Sequence, residues 1–522
     1  MGSASVVNDA GLPVHDQFDE VAPSEHPALV RWREWRREQG RPFRPNFKMY
    51  VGHTSPAATG ERVKLLQSLG VESVLLAWDL PSQLGMDPDH RLARSQVGRA
   101  GVSCSSLDDM REICAELDLG ALVSFGMLAN SVGPIGLGLV LEVLEEAGAT
   151  GTAITLQNDP LKEFTARGTD IFTPTASLRL ACDVVEYAVE HDIPGQAMTV
   201  CSNHYDVAGA GPVLALAFAL ANGLAYLDEL VARGVDATRA AEKISFFVNE
   251  RSDFFVTAAL FRTTRVLWAD LIAVRYGVDP GGEPLHIMGY AHGLETSVEP
   301  LVNVARVAVS VTAATLGGAD TLCVAAYDEA LRIPSADAAA LALRTLQVAS
   351  LEHGVSDSVD PLAGSYKFEA LCRIIEHDVV EELARIDDRG GAVACIDNDY
   401  VLSRMADWQE HRPHQLASGD RPWVGVNVHQ APETAGLFSG SSGTDFGVVE
   451  TEQRLIERVR ARKATSSAET AASLTALTAD LAAGANSVDA TRRALRAGAT
   501  VEQITDAMRT GLGLVPATTK GR

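Results

Sequence analysis

The amino-acid sequence predicts an α/β protein, a (β/α)8 TIM barrel followed by a C-terminal helical extension. From Val71 onward, short runs rich in β-branched and aromatic residues alternate with long apolar runs of helical character. This alternation is typical of repeated βα units around a parallel sheet. Eight strand candidates with eight crossovers favour a closed barrel, with a doubly wound open sheet as the alternative.

The strand candidates are short and are bounded by helical or turn-forming segments. In chain order they are SVLLAWD (73–79), ALVSFG (121–126), TAITLQND (152–159), AMTVCSN (197–203), ISFFVN (244–249), PLHIMGY (284–290), TLCVAAYD (321–328) and GVSDSVDP (354–361). The segments between them are long and rich in Ala, Leu and Val, which favours helices.

Three regions follow from this pattern. Residues 1–45 form a polar leader with a short basic helix at Ala28–Gln39, and residues 46–415 form the barrel. Residues 416–522 begin with a Gly/Ser-rich linker and continue into two Ala-rich helices. The alternating charges of this tail fit a solvated face, or alternatively a surface on which a partner docks.

Composition narrows the class of protein. Apolar residues make up 46% of the 522 residues, and the net charge of -24 argues against nucleic acid or anionic membrane as partners. The seven cysteines are an odd number without a CxxC pair, so neither a disulfide framework nor a zinc site is predicted. The acidic N-terminus does not match a signal peptide, and no apolar run of 18 residues is recognised in the sequence. We expect a cytoplasmic protein.

A barrel places its chemistry at the carboxyl ends of its strands. The polar residues predicted there are Asp79, Gln157, Asn203, His204, His286, Tyr327 and Glu329. In the segment TLQNDPLKEFTAR, Arg167 follows Gln157 by ten residues, and a guanidinium at the barrel mouth suits a carboxylate. Alternatively, Arg167 is a surface residue paired with Glu163 or Asp170.

His204 lies in a second polar segment, CSNHYDVAGAG, between a strand and a helix. It is placed either to hydrogen-bond a substrate carbonyl or to cap the helix that follows. The sequence has no GxxxxGK[ST], HExxH or GxSxG motif and no paired metal-ligand motif, so nucleotide hydrolysis and metal-dependent hydrolysis lack support and no metal site is predicted.

With these segments identified, the chain resembles the adenosylcobalamin-dependent acyl-CoA mutases that act on methylmalonyl-, ethylmalonyl-, isobutyryl- and 2-hydroxyisobutyryl-CoA. The resemblance runs from about Lys48 to the C-terminus. It is carried, in order, by AWDLPSQLGMDPDH, VGRAGVSCSSLDDM, TLQNDPLKEF, the NH-x-x-x-AGA pattern, ISFF, LGGADTL, YDEALRIPS and DPLAGSY. It implies a barrel capped by a cobalamin domain and an isomerase that moves a group between neighbouring carbons by a radical reaction.

The resemblance also implies roles for individual residues. Tyr50 matches a tyrosine that lies against the substrate, and Gln157 and His204 match the residues that hold the thioester carbonyl. Arg167 matches the arginine that binds the free carboxylate of methylmalonyl- and ethylmalonyl-type substrates. The isobutyryl and hydroxyisobutyryl types have a glutamine at this position. Ala77 also resembles the methylmalonyl type, because the hydroxyisobutyryl type has an aspartate at this position. Together these matches imply a carboxylated substrate.

Other matched positions depart from the family pattern. The resemblance places Asn203, Lys243 and His286 among the substrate contacts, and Glu329, Ala325 and Asp320 around the adenosyl ribose. Asn203, Lys243 and Ala325 replace the usual tyrosine, arginine and asparagine, and only RPFRPNF stands where a longer hairpin normally precedes the first tyrosine. These changes imply a shifted substrate: another acyl-CoA, an acyl group on an acyl-carrier protein, or a free acid.

The lower cobalt ligand of the family comes from an Asp-x-His-x-x-Gly motif. None of the 13 histidines of this chain has an aspartate two residues before it. We therefore expect adenosylcobalamin to be bound mainly by a separate small subunit, in a hetero-oligomer for which the helical tail is the docking site. The alternative function is a non-catalytic, mutase-like subunit that binds a ligand or partner and regulates it.

Overall fold

A computed structural model of the chain describes residues 24–40, 42–250, 253–292, 296–409, 411–430 and 448–514. Most of the predicted leader and the central part of the predicted linker lie outside these residues. The predicted basic helix is confirmed as α1, Pro27–Gln39. His26 caps it by accepting a hydrogen bond from the Ala28 amide, and proline occupies its first position.

Parallel strands form one sheet that closes into a ring. Their bounds are β1 Asn46–Val51, β2 Ser73–Leu76, β3 Ser124–Leu128, β4 Ala153–Gln157, β5 Gly195–Gln196, β6 Met198–Cys201, β7 Ile244–Asn249, β8 Ile287–Ala291 and β9 Thr321–Val324. Segment β5 pairs with β4 and segment β6 pairs with β7, so these two pieces of one interrupted strand complete the ring. The predicted α/β barrel is confirmed.

One predicted strand is wrong. Residues 354–361 form turns between two helices, and the missing strand is β1, which pairs with both β2 and β9. The segment NFKMYV does not read as a buried strand because it carries Lys48. In the fold, however, Lys48 is 1% exposed and its Nζ donates to Thr155 Oγ1 at 3.1 Å. Burial lowers the pKa of Lys48 to about 8.

Side chains fill the barrel in two layers. The lower layer, toward the amino ends of the strands, is polar, and hydrogen bonds join its side chains. The Ser124 hydroxyl donates to Ser73 at 2.9 Å, and the Ser245 hydroxyl donates to Thr199 at 2.9 Å. The upper layer is a separate apolar cluster, formed by Leu75, Ala77, Leu128, Cys201, Phe247, Met288 and Cys323. The barrel is therefore a packed core, and ligands are expected at its ends.

Helices surround the ring. Around the barrel they are α2 Pro56–Ser68, α3 Leu80–Gln83, α4 Leu107–Cys114, α5 Gly133–Glu146, α6 Pro174–Glu190, α7 Asn203–Val207, α8 Gly211–Ala232, α9 Ala237–Glu242, α10 Phe254–Tyr276, α11 Asn303–Gly317 and α12 Ala336–Leu351. Beyond the barrel come α13 Tyr366–Asp387, α14 Gly391–Asp397, α15 Tyr400–Gln409, α16 His411–Ser418, α17 Val448–Ala464, α18 Ala468–Ala482, α19 Val488–Arg496 and α20 Val501–Gly511.

Among the residues that the structure describes, two helical segments are long and apolar enough to cross a membrane by length and composition, contrary to the sequence-based expectation of none. They are Gly211–Ala232 and Pro300–Gly317. In α8, 78% of the apolar stretch is buried against the rest of the protein, and in the second segment 50% is buried. Burial of this kind is that of a core helix packed on the barrel wall.

The C-terminal tail contains four helices where two were predicted, because turns interrupt both Ala-rich runs. The tail packs back on the barrel. Arg492 of α19 is nearly buried and donates to Glu142 at 2.7 Å, to Glu145 at 2.6 Å and to the Tyr187 hydroxyl at 3.1 Å. The surfaces of α5 and α6 that face α19 are therefore covered by the tail.

A second contact joins the tail to the loop that follows α3. Lys463 of α17 places its ammonium among three carboxylates, at 3.0 Å from Asp87, 2.7 Å from Asp89 and 2.6 Å from Glu502. The same three carboxylates have the spacing of a metal site. The lysine already supplies the positive charge there, and it anchors the tail beside the carboxyl end of β2.

The Arg492 contact gives a prediction of stability. Arg492→Met should lower the free energy of unfolding by about 3 kcal/mol, because it removes the buried partner of Glu142 and leaves that carboxylate only the half-exposed Arg496 at 3.3 Å among the described residues. Arg493→Met is the matched control, since Arg493 is 53% exposed and pairs only with Asp480 among the described residues; a change below about 0.5 kcal/mol is expected. Urea unfolding measures both, and equal losses would contradict the assigned role of Arg492.

Candidate functional site

The carboxyl ends of the strands surround an open cavity. Its volume is about 560 Å³, and its lining includes Tyr50, Ala77, Tyr290, Ala326 and Glu329. Tyr50 comes from β1 and Tyr290 from β8, and their ring centroids lie 6.3 Å apart. Ala77 directly follows β2, so its small buried side chain leaves room at this point of the wall.

Glu329 lies in the loop after β9, together with Ala325. Its Oε1 accepts a hydrogen bond from the Tyr290 hydroxyl, and its Oε2 accepts one from the Ala326 amide at 3.1 Å. Burial raises the pKa of Glu329. The carboxylate is thus fixed in place, and each of its oxygens can accept a further hydrogen bond from a ligand hydroxyl.

Gln157 is the last residue of β4 and is 1% exposed. Its Nε2 donates to Asn130 Oδ1 at 3.4 Å, whereas its Oε1 has no hydrogen-bond partner within the described part of the chain. A buried polar atom without a partner costs roughly 1–3 kcal/mol. Such an atom at the mouth of a barrel indicates a place where a ligand or water completes the hydrogen bonding.

Asn203 and His204 follow β6 as the first residues of α7. Asn203 Oδ1 and His204 Nδ1 are both buried, and neither has a partner among residues that the structure describes. Burial, together with the positive charges of Lys162 and Arg167, holds the pKa of His204 well below its usual value. The imidazole is therefore neutral at pH 7 and acts as a hydrogen-bonding group.

Arg167 lies in the loop after β4, and its side chain is 26% exposed. Its Nη1 donates to Gln83 Oε1 at 2.8 Å and lies 3.5 Å from Glu163 Oε1. The pairing with Glu163 that the sequence offered as an alternative is thus present. Glu163, however, also binds Lys162 and the Thr169 hydroxyl, so it is shared among several donors.

The structure brings eight of the predicted site residues to the carboxyl end of the barrel. They are Tyr50, Ala77, Gln157, Arg167, Asn203, His204, Ala325 and Glu329. Burial raises the pKa of Tyr50 well above its usual value; the charge of Arg167 lowers this pKa and the charge of Glu329 raises it, so Tyr50 is near both groups. The functional roles of these residues remain predictions.

Three predicted site residues lie at the opposite end of the barrel, and the predicted placement of His286 at the barrel mouth is wrong. Lys243, His286 and Asp320 each immediately precede a strand, β7, β8 and β9 respectively, so they lie at the amino ends. The Lys243 ammonium donates to the carbonyl of Ile193, and Asp320 accepts from Arg265 at 2.9 Å. Burial lowers the pKa of His286 to about 4.

The sequence analysis missed Gln83, Asn130 and Tyr290. All three obey the rule that polar groups at strand carboxyl ends face the site: Gln83 follows β2, Asn130 follows β3, and Tyr290 lies near the end of β8. Asn130 was overlooked because the third strand was ended at residue 126, two residues before its observed end at Leu128.

Comparison with known proteins identifies the family. The family model for methylmalonyl-CoA mutase matches residues 36–514. The 2-hydroxyisobutanoyl-CoA mutase large subunit of Aquincola tertiaricarbonis is 31% identical over 426 residues, covering 81% of this chain and 73% of that protein. An ethylmalonyl-CoA mutase of Cereibacter sphaeroides is 32% identical over 482 residues, covering 90% of this chain and 73% of that protein.

Other relatives are longer than the region they share with this chain. The ethylmalonyl-CoA mutase of Methylorubrum extorquens is 33% identical over 427 residues, which cover 79% of this chain but 62% of that protein. The probable methylmalonyl-CoA mutase large subunit of Mycobacterium tuberculosis is matched over 52% of its length. The chain belongs to the methylmalonyl-CoA mutase family.

Proposed function

We propose that this chain is the substrate-binding large subunit of a two-component adenosylcobalamin-dependent mutase, an isomerase that rearranges a carboxylated acyl thioester. One observation carries the proposal. The Arg167 guanidinium lies at the same end of the barrel as the Gln157 amide and the His204 imidazole, whose buried Nδ1 lacks a partner among the described residues. A cation and two carbonyl-binding groups suit a ligand that has both a carboxylate and a thioester carbonyl.

The proposed site residues contact two parts of the substrate, its carboxylate and its carbonyl oxygen. Arg167 would bind the carboxylate. The neutral His204 imidazole and the second hydrogen of the Gln157 NH2 group, whose first hydrogen goes to Asn130, would donate to the carbonyl oxygen. Those donors matter most where negative charge grows on that oxygen during the rearrangement. The apolar layer beneath the mouth keeps water from entering through the barrel.

The family is generally cobalamin-dependent, and the cavity residues suit the adenosyl group. Glu329 is buried, held by Tyr290 and Ala326, and still able to accept hydrogen bonds from ribose hydroxyls. Ala325, which the resemblance places near the ribose, lies in the same loop. Adenosylcobalamin would supply the radical that begins the rearrangement, and we propose that a separate small subunit in the cytoplasm provides most of its binding site.

The direct test combines the chain, a cobalamin-binding small subunit, adenosylcobalamin and methylmalonyl-CoA. Electron paramagnetic resonance and the visible spectrum are then followed for cob(II)alamin. A signal with methylmalonyl-CoA supports a CoA-bound substrate, and a signal only with an acyl-carrier-protein ester or a free acid moves the substrate to that class. Cofactor binding without any signal would favour the regulatory alternative.

Arg167→Gln should separate carboxylated from uncarboxylated ligands. Loss of the guanidinium is expected to raise the Kd of methylmalonyl-CoA about 100-fold, because the ligand carboxylate loses its charged partner. Isobutyryl-CoA, in which a methyl group replaces the carboxylate, should bind with little change. Arg275→Gln on the outside of α10 is the control, and titration calorimetry is the measurement. Equal weakening of both ligands would contradict the carboxylate assignment.

The neutral state of His204 gives a dependence on pH. The folded-state pKa lies below the unfolded value of about 6.5, so the unfolded chain binds an extra proton as the pH falls below 6.5, and stability is lost there. Between pH 7.5 and 5.5 the wild type should lose up to about 1.4 kcal/mol more unfolding free energy than His204→Gln. Urea unfolding at the two pH values measures the difference. An identical loss in the variant would show that His204 is not held neutral.

A further inference from the structure

Two amide side chains outside the predicted set hold the two proposed substrate contacts. The first is Gln83, the last residue of α3. Its Oε1 accepts from Arg167 Nη1 at 2.8 Å, and its Nε2 donates to the Trp78 carbonyl oxygen at 2.6 Å. A backbone carbonyl only accepts hydrogen bonds. The Trp78 contact therefore forces the oxygen of Gln83 toward Arg167.

Gln83 is uncharged, so its hydrogen bond with Arg167 does not cancel the positive charge of the guanidinium. The nearest carboxylate, Glu163, is 1% exposed and is already bound by the fully buried Lys162 and by Thr169. The buried Asp159 also interacts with Lys162, so that ammonium is shared by two carboxylates. Gln83 thus fixes the guanidinium without adding a negative charge beside it, and the guanidinium keeps further donors for an anionic ligand.

The second amide is Asn130, directly after β3 and 2% exposed. Its Oδ1 accepts from the Lys162 ammonium at 3.0 Å and from Gln157 Nε2 at 3.4 Å. Because an ammonium only donates, Asn130 must turn its oxygen toward Lys162, and Gln157 must then present its NH2 group to that oxygen. Lys162 orients Gln157 through Asn130.

We propose that Gln83 and Asn130 are positioning residues that set the ligand specificity of this site. Gln83 fixes Arg167 for a carboxylate, and Asn130 fixes Gln157 for a carbonyl. The buried Lys162–Glu163 pair connects them, so the site selects ligands that carry both groups. This inference rests on the proposed function, in which Arg167 and Gln157 contact the substrate.

The Gln83 part is tested with Gln83→Glu and Gln83→Met on the full chain. A carboxylate at position 83 would neutralise Arg167 and compete with the ligand, so the Kd of methylmalonyl-CoA should rise about 100-fold. Gln83→Met removes the hydrogen bond to Arg167 without adding charge, and a rise of about 5-fold in the Kd of methylmalonyl-CoA is expected. The Kd of isobutyryl-CoA should stay within about 3-fold in both variants. Gln83→Glu binding methylmalonyl-CoA as the wild type does would overturn the assignment.

The Asn130 part predicts a different pattern over the same two ligands. Asn130→Leu removes the acceptor that orients Gln157, and both Kd values should rise about 10-fold, because both ligands carry the thioester carbonyl. Asn130→Asp keeps the acceptor and should restore binding to within about 3-fold. A purely structural residue would lower the melting temperature in Asn130→Leu without changing either Kd, and that result would overturn the role of Asn130.

Calorimetry with the N-acetylcysteamine thioesters of the same acids repeats both comparisons without coenzyme A. A wild-type preference for the carboxylated ligand that Gln83→Glu leaves unchanged refutes the positioning role and preserves the proposed function. A wild type that binds neither ligand, or that binds both equally, refutes the proposed function and this inference with it.

Discussion

The site depends on the closure of one parallel ring of strands. Closure requires the interrupted strand β5–β6 to pair with β4 on one side and with β7 on the other. Because all strands run in the same direction, every residue that follows a strand emerges at one rim and every residue that precedes a strand emerges at the other. This constraint brings Gln157, Arg167 and His204 together although they are far apart along the chain, and it separates them from Lys243.

The same constraint explains what the sequence could predict. The barrel and the positions of Gln157, His204 and Glu329 follow from alternating segments and strand ends, which the sequence marks clearly. Strand β1 was missed because a buried lysine has no local signal: Lys48 is acceptable only through the hydroxyl of Thr155, more than 100 residues later. His286 was misplaced because its strand was predicted to begin at residue 284, whereas β8 begins at Ile287 and leaves His286 at the amino end; strand bounds depend on tertiary pairing.

Electrostatics gives the carboxyl rim its chemical character. The chain is strongly acidic overall, so a site for an anionic ligand needs a local excess of positive charge. Here the cation for such a ligand is Arg167, which is held by the uncharged Gln83, whereas Lys162 is shared by Glu163 and Asp159. The same cations help to keep His204 neutral, since a third positive charge in this buried volume is unfavourable. Burial is the larger cause of the lowered pKa of His204, and it leaves an uncharged donor beside the cation.

The packing of the C-terminal tail extends this argument to the rest of the chain. Gln83 is held by Trp78, and the loop that continues from it carries Asp87 and Asp89 to the ammonium of Lys463. The Glu502 amide also donates to Asp87, so two tail helices fix the loop that supports Arg167. The Asp87 carboxyl is buried, and its pKa rises to about 6 despite the lysine. Asp87, which the tail buries, lies four residues after Gln83, the residue that holds Arg167. A role in partner docking alone does not explain this contact. The tail is therefore part of the framework that fixes the loop after Gln83.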